Sequence, residues 1–214
     1  MFLNKKKLKF TKPNLKIENE CILVGSSSSL LSNTDIAIDS FENIFRFNRA
    51  PTFGFEKHVG SRTDYRILNN HVFENRKTWN NSQYFSNQDF ELLENIKNTN
   101  IIRIGTMWHT YKEHELRYKK NSNNVYIFDY SKINKLKKLV EFNSSKNMTV
   151  GAVTIALLLL TNVKIKLIGF DLDAKMFSHY WESTPDLGSM HDKSYEKEWL
   201  RSIIKTSPNI EVLH

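Results

Sequence analysis

The chain of 214 residues has one cysteine, Cys21, so it cannot form an intrachain disulfide. That excludes a secreted disulfide scaffold and fits a reducing compartment. Four prolines and seven glycines are too few for a collagen-like chain, and no Pro/Gly-rich linker divides the sequence. Long apolar runs are missing as well. The strongest, Val153–Leu160, is followed at once by Thr161, Asn162, Lys164 and Lys166. A bilayer span needs about 20 apolar residues, so this run reads as a buried helix. The amino terminus, Met1–Lys12, has lysines but no apolar stretch of signal-peptide length, and a soluble, cytoplasmic protein is expected. Metal signatures are absent: His179 and His191 have neither cysteine companions nor an H-E-x-x-H pattern, so no metal cofactor is expected. Acidic residues are also in short supply, with 23 Asp and Glu against 31 Lys and Arg, a net charge of +8. The excess suggests an anionic partner, whether nucleic acid, a phosphorylated small molecule or an acidic membrane surface touched peripherally by the basic amino terminus. No basic motif interleaved with aromatics accompanies the charge, so nucleic acid is not the expected partner.

Hydrophobic residues make up 40% and charged residues 25%, ordinary globular usage in a chain long enough to bury a core. Short apolar runs at Cys21–Val24, Asn43–Phe47, Tyr65–Leu68, Asn100–Ile104, Val125–Phe128, Lys164–Ile168 and Ile210–Leu213 read as strands. Helical spacing appears over Asp89–Ile96, after a cap at Ser131 through Val140, over Thr149–Leu160, and after a cap at Asp192 through Ile204. Strands alternating with helices predict an α/β layered sheet, read as a single domain over 1–214 with a loosely ordered basic start at 1–19.

In open α/β sheets ligands sit beyond the carboxyl ends of the strands. Gly25 with Ser26–Ser29 offers backbone N–H groups and hydroxyls there. Thr149-Val150-Gly151 opens the apolar helix, and a helix start favours anions. Past the Gly169-Phe170-Asp171 strand end come His179-Tyr180-Trp181-Glu182, then His191 just before Asp192, with Glu196 further on. Two histidines, a tyrosine and acids in such a loop are placed for acid–base work. His191 lies near a helix start, which disfavours imidazolium and suits a neutral base. Each of these residues has a structural alternative: a serine turn, a packed glycine or a core histidine.

Cys21–Leu30 (CILVGSSSSL) with Ile38–Thr63 (IDSFENIFRFNRAPTFGFEKHVGSRT) resembles the large sialylmotif of glycosyltransferase family 29. Thr149-Val150-Gly151 through Leu167-Ile168-Gly169-Phe170 resembles the small sialylmotif, His179–Glu182 the third motif, and His191 with Glu196 the very small motif. Together they run in family order over most of the chain. The resemblance implies a single Rossmann-type α/β domain of the GT-A-like variant, with a central, mostly parallel sheet flanked by helices and no required metal. It implies an inverting transfer of sialic acid from CMP-sialic acid to a hydroxyl of an acceptor glycan, galactosyl or lipid-linked. It assigns His191 as general base, and His179 and Tyr180 as partners of the departing CMP phosphate. Asn48 and the loop Gly25, Ser26 and Ser27 would hold the nucleotide, and Thr149, Gly151, Gly169 and Phe170 the donor. Glu196 would support the His191 loop, and Trp181 would pack or shape the pocket.

Arg46 and Arg49 are expected to pair with local acids, and Pro51, Gly54 and Gly60 to set turns. Departures from the family pattern are Ser26 for the usual Asn, Ser28 for a glycine and Val150 for a hydroxyl residue, which leave CMP-Kdo or another CMP-nonulosonate open as the donor. The second cysteine of the animal members' bridge falls near Asn162. That points to a bacterial or otherwise reduced, soluble form. A non-catalytic CMP-binding domain remains the third reading. Tyr84, Trp108, His109 and Tyr111 are candidates to line an acceptor site.

Overall fold

Seven short runs of β-branched and aromatic residues pair into one sheet. A computed structural model describes residues 17, 19–69, 72, 99–105, 122, 124–172, 179–181 and 191–214. The expected helix over Asp89–Ile96, the aromatics Tyr84, Trp108, His109 and Tyr111, the basic Met1–Lys12 and Glu182 all lie outside these residues. The strands are β1 (Glu20–Val24), β2 (Ile44–Phe47), β3 (Tyr65–Asn69), β4 (Asn100–Gly105), β5 (Asn124–Asp129), β6 (Lys164–Ile168) and β7 (Ile210–Val212). Their order is β5-β4-β3-β2-β1-β6-β7, and every pairing is parallel. The chain steps outward from β1 to β5, then returns to the other side of β1. The carboxyl ends of β1 and β6 therefore form the point where strand order reverses, the usual ligand position in such sheets.

Alternation along the strands builds two main cores and a small third cluster at Leu68 and Ile101. Cys21 and Leu23 of β1, Phe45 and Phe47 of β2 and Ile165 and Leu167 of β6 share one face with the helices α2 (Ile133–Leu139), α3 (Val150–Leu159) and α4 (Lys193–Thr206). Ile22, Val24, Ile44 and Ile168 face the other way, toward Leu30, Ile38, Val59 and Tyr180. Strands buried on both faces read as continuous apolar runs, as β1 and β2 do, whereas the edge strands β5 and β7 are only partly buried. α3 is apolar around most of its circumference and is buried at Ala152, Val153, Thr154, Ile155, Ala156 and Leu158. Its one polar core residue, Thr154, donates to the Val150 carbonyl at 2.8 Å. Among the described residues no helix is long and apolar enough to cross a membrane. α4 buries Trp199 and Leu200, and the Trp199 indole N–H donates to the Val140 carbonyl at 2.9 Å.

Two sequence expectations change. Ser131 does not cap α2: it sits in a 3-10 turn, Tyr130–Lys132, its N–H donating to Asp129, and Lys132 precedes the helix. Arg46 does not pair with an acid. It lies 1% exposed in β2, bonded to the carbonyls of Val59 and Arg62 and the Thr63 hydroxyl. Beside it in register, Arg66 donates to the Ala50 carbonyl at 2.7 Å. Burial, the largest cause, lowers Arg46 to about 10 and, with Arg46 adding repulsion, Arg66 to about 9. The two guanidiniums brace the turns after β2 from below. The glycines there behave as expected, with Gly54 and Gly60 at φ of 80° and 72°. Cys21 is fully buried and its thiol is pushed up to about 12 by burial and, less, by Glu20.

Candidate active site

The ends of β1 and β6 approach so closely that side chains are excluded between them. The Gly25 N–H donates to the Ile168 carbonyl at 2.8 Å, and the Ser27 N–H to Gly169 at 3.2 Å. A Cβ on Gly25 would lie 2.2 Å from the Gly169 carbonyl oxygen. Gly169 itself has φ of 70°, and a Cβ there would meet Leu30 at 2.6 Å. The chain then turns Phe170 across the gap: its ring would stand 3.1 Å from a Cβ on Gly25 and 3.3 Å from one on Gly151. Phe47 packs edge-on against the same ring at 5.9 Å. The Gly169 carbonyl thus excludes a side chain at Gly25, and the Phe170 ring packs tightly against both Gly25 and Gly151.

The serine loop is held from several sides. Ser27 caps the 3-10 turn Ser28–Ser32, accepting from the Ser29 N–H at 3.2 Å and the Ser29 hydroxyl at 3.3 Å. The Ser27 hydroxyl donates to the Asp171 carboxylate. The His179 segment joins this loop: Ser27 and His179 form an antiparallel bridge, and the Tyr180 N–H donates to the Ser26 carbonyl at 3.0 Å. His179 and Trp181 stack at 4.5 Å. Tyr180 turns inward, 4% exposed, its hydroxyl donating to the Pro51 carbonyl and its ring edge-on to Phe55 at 5.0 Å. Burial pushes this phenol up to about 12, against the pull of Arg46 and Arg66. Its hydroxyl therefore braces the turn after β2, a different placement from the phosphate contact that the resemblance implies.

That turn presents Asn48. Its φ of 45° is left-handed, a region asparagine tolerates. The Asn48 N–H donates to Ile67 at 2.7 Å, and its side-chain oxygen accepts from the Asn69 N–H at 3.0 Å. The carboxamide is thereby oriented with its NH₂ away from β3.

The third group forms where α3 begins. Thr149 caps the helix, its hydroxyl oxygen accepting from the Ala152 N–H at 3.1 Å. The same hydroxyl donates to Glu196, and the Thr149 N–H donates to the other Glu196 oxygen at 2.9 Å. Glu196 lies in the first turn of α4, so its carboxylate ties the start of one helix to the start of the other. Burial raises its pKa, opposed by the Thr149 bonds and by His191 and Lys193. Asp192 caps α4, accepting from the Tyr195 N–H at 3.3 Å. His191 bridges to Asn147, its Nδ1 lying 3.0 Å from the Asn147 carbonyl oxygen.

The residues nominated from sequence therefore fall into two connected assemblies at the carboxyl edge of the sheet. One joins Gly25, Ser26, Ser27, Gly169, Phe170, His179, Tyr180 and Trp181; the other joins Thr149, Glu196 and His191. Gly151, against Phe170, links the two, and Asn48 stands beside the first through the Tyr180-braced turn. Asp171, which the sequence marks only as part of a strand end, and the Asn147 carbonyl, a backbone group that leaves no mark, also contribute. Among the described residues no group of three or more His, Cys, Asp or Glu could hold a metal ion. An apolar cavity of about 510 Å³ lies elsewhere, between the sheet and the far end of α3, lined by Phe45, Ile67, Ile102, Leu157 and Leu158 and by none of the nominated residues.

The family model described as glycosyltransferase family 29 (sialyltransferase) matches residues 1–207. CMP-N-acetylneuraminate-beta-galactosamide-alpha-2,3-sialyltransferase 1 of Mus musculus is 28% identical over 187 residues, covering 82% of this chain and 53% of the relative. Beta-galactoside alpha-2,6-sialyltransferase 2 of Danio rerio is 26% identical over 220 residues, covering 87% of this chain and 39% of the relative. The chain spans about half the length of the first of these relatives and less of the second. Both are vertebrate proteins and give no support to the bacterial origin suggested by the missing bridge. The crystal structure of a mammalian sialyltransferase superposes with a TM-score of 0.62 at 20% identity, covering 91% of this chain and 68% of that one. The alpha-2,3-sialyltransferase Cst-I from Campylobacter jejuni gives 0.56 at 18% identity, covering 93% and 77%. At these identities the likeness is one of fold, and it bears out the GT-A-like α/β architecture.

Proposed function

The chain belongs to glycosyltransferase family 29, and on that premise we propose that it is an inverting sialyltransferase using CMP-sialic acid and a galactosyl acceptor, with His191 as general base. The observation that carries this reading is the contact between His191 Nδ1 and the Asn147 carbonyl. A carbonyl oxygen only accepts, so Nδ1 bears the proton and the lone pair is left on Nε2. That tautomer can take the proton of an acceptor hydroxyl as its oxygen bonds to the anomeric carbon. The bond from that carbon to the phosphate oxygen breaks on the opposite side, and its electron pair leaves with CMP. Phosphate is already a competent leaving group, so the paired carboxylates of glycosidases are not needed.

Negative charge grows on the departing phosphate, and donors aimed there lower the barrier. At the start of α3 the Ala152 N–H goes to Thr149, which leaves the N–H groups of Val150 and Gly151 as the helix donors for an anion. His179, sewn to the serine loop, is the second donor. Asn48 offers its NH₂ to the nucleotide, with the Gly25–Ser27 loop and the Phe170 ring as walls. Tyr180, Thr149 and Glu196 act by position: Tyr180 holds the Asn48 turn, and Glu196 locks the capped start of α3 beside His191. No step in this scheme draws on a metal.

The relatives' names, a CMP-N-acetylneuraminate-beta-galactosamide sialyltransferase and a beta-galactoside sialyltransferase, support this donor and this acceptor class. Ser26, Ser28 and Val150 favour a second reading in which the donor is CMP-Kdo or another CMP-nonulosonate. The test is to incubate purified protein with each CMP-sugar and a set of β-galactosides, following CMP release and product mass. A sialylated galactoside is expected. Transfer from CMP-Kdo alone would move the assignment to the second reading, and transfer from neither donor would contradict both.

A further inference from the structure

We propose that Asp171 is the residue that recognises the ribose of the nucleotide, accepting hydrogen bonds from its vicinal hydroxyls. This rests on the CMP-dependent reading above. Asp171 follows Gly169 and Phe170 at the end of β6, on the strand next to the serine loop of β1. One carboxylate oxygen, Oδ2, accepts from the Ser27 hydroxyl, and Ser27 in turn accepts from the Ser29 N–H and the Ser29 hydroxyl. The carboxylate is therefore oriented by the loop assigned to the nucleotide. Among the described residues no hydrogen bond reaches its other oxygen, Oδ1, and the residue is half-buried.

The sign of the charge decides what Oδ1 can take. A carboxylate repels a phosphate at short range, so in a site for an anionic ligand it does not face the phosphate. It is an acceptor only, and its partner must donate. On a CMP-linked donor the vicinal ribose hydroxyls are a pair of donors that one carboxylate can engage. An acid at a strand end beside the phosphate-binding turn is the recurring solution for holding ribose in parallel α/β sheets. The phosphate is then left to the start of α3, where Gly151 packs against the Phe170 ring. Asp171 thus sets both which sugar is accepted and which end of the nucleotide faces His191. It is not required to move a proton.

The test is a binding comparison of CMP, 2′-deoxy-CMP and 3′-deoxy-CMP by calorimetry on the wild-type protein and on Asp171→Ala. A hydrogen bond to a charged acceptor changes affinity by about ten- to a hundred-fold. Wild type should bind CMP at least ten-fold tighter than one of the deoxy nucleotides, and Asp171→Ala should bind all three within about three-fold of one another. Asp171→Asn keeps the shape and an acceptor for Ser27, and serves where the alanine variant does not fold; its discrimination should fall in the same direction. Discrimination unchanged in a folded variant would overturn the proposal. So would wild type failing to discriminate, or a variant that weakens all three nucleotides equally, as loss of a cytosine contact would. Wild type binding none of the three would remove the CMP reading and this inference with it, whereas the other adverse outcomes leave that reading standing.

Discussion

Glu196 offers a quantitative test of how the site is held. Its two carboxylate oxygens accept the N–H and the hydroxyl of Thr149, so Glu196→Ala removes both partners at once. The Thr149 hydroxyl can still cap Ala152, but the Thr149 N–H is left half-buried without an acceptor. An unsatisfied buried donor costs about 1–3 kcal/mol, and 2 kcal/mol is a fair central value here. For a chain of this size 1 kcal/mol moves the midpoint by about 2–4 °C, so Tm should fall by about 4–8 °C. Glu196→Gln keeps an acceptor for the N–H and can donate to the hydroxyl, and should cost less than about 1 kcal/mol. The pH dependence has a defined sign. Burial raises the Glu196 carboxyl above its ordinary value. A raised carboxyl contributes stability that is complete below its unfolded pKa and is lost as pH rises through the folded pKa. The glutamine variant lacks that titration, so its Tm relative to wild type should improve as pH rises through that window. Thermal melts followed by circular dichroism from pH 4 to 8 would show this. An alanine variant melting within 1 °C of wild type, or a glutamine variant losing ground with rising pH, would refute the reasoning.

Gly25→Ala places a methyl 2.2 Å from a backbone oxygen that cannot move without parting β1 from β6, and should cost about 3 kcal/mol, read as a lower urea midpoint. Tyr180→Phe leaves the Pro51 carbonyl without its donor and should destabilise by about 1–2 kcal/mol. If Tyr180 acts through the Asn48 turn, the same variant should weaken CMP binding without a matching change in the transfer rate at saturating donor.

The central strands were legible because they are buried on both faces and read as apolar runs, as in Cys21–Val24, whereas Lys164–Ile168 was legible by its alternation of lysines with buried aliphatic residues. α3 was legible as an apolar run too, its length and Thr149 cap distinguishing it from a strand. Ser131 misled because a 3-10 turn separates it from α2, and a capping residue looks the same one turn too early. Arg46 misled more deeply. A buried cation suggests an acid nearby, but here the acceptors are the carbonyls of Val59 and Arg62, and carbonyls leave no trace in a sequence. The same holds for Tyr180 and Pro51, and for His191 and Asn147. The identities of the site residues could be nominated from residue type and family resemblance. Their joining could not, because Ser26 meets Tyr180 and Asn147 meets His191 only through the register of β1 against β6 and the return of α4.

The central claim is that His191 removes the acceptor proton and does not hold the nucleotide. Its most direct test is His191→Ala, assayed in parallel for CMP affinity and for initial rates of transfer from CMP-sialic acid to a β-galactoside. Loss of a general base costs about 10²–10⁴-fold in rate, so transfer should fall by that factor while the CMP Kd stays within about three-fold of wild type. Wild-type transfer by the variant, or a loss of CMP binding as large as the loss of rate, would contradict the assignment.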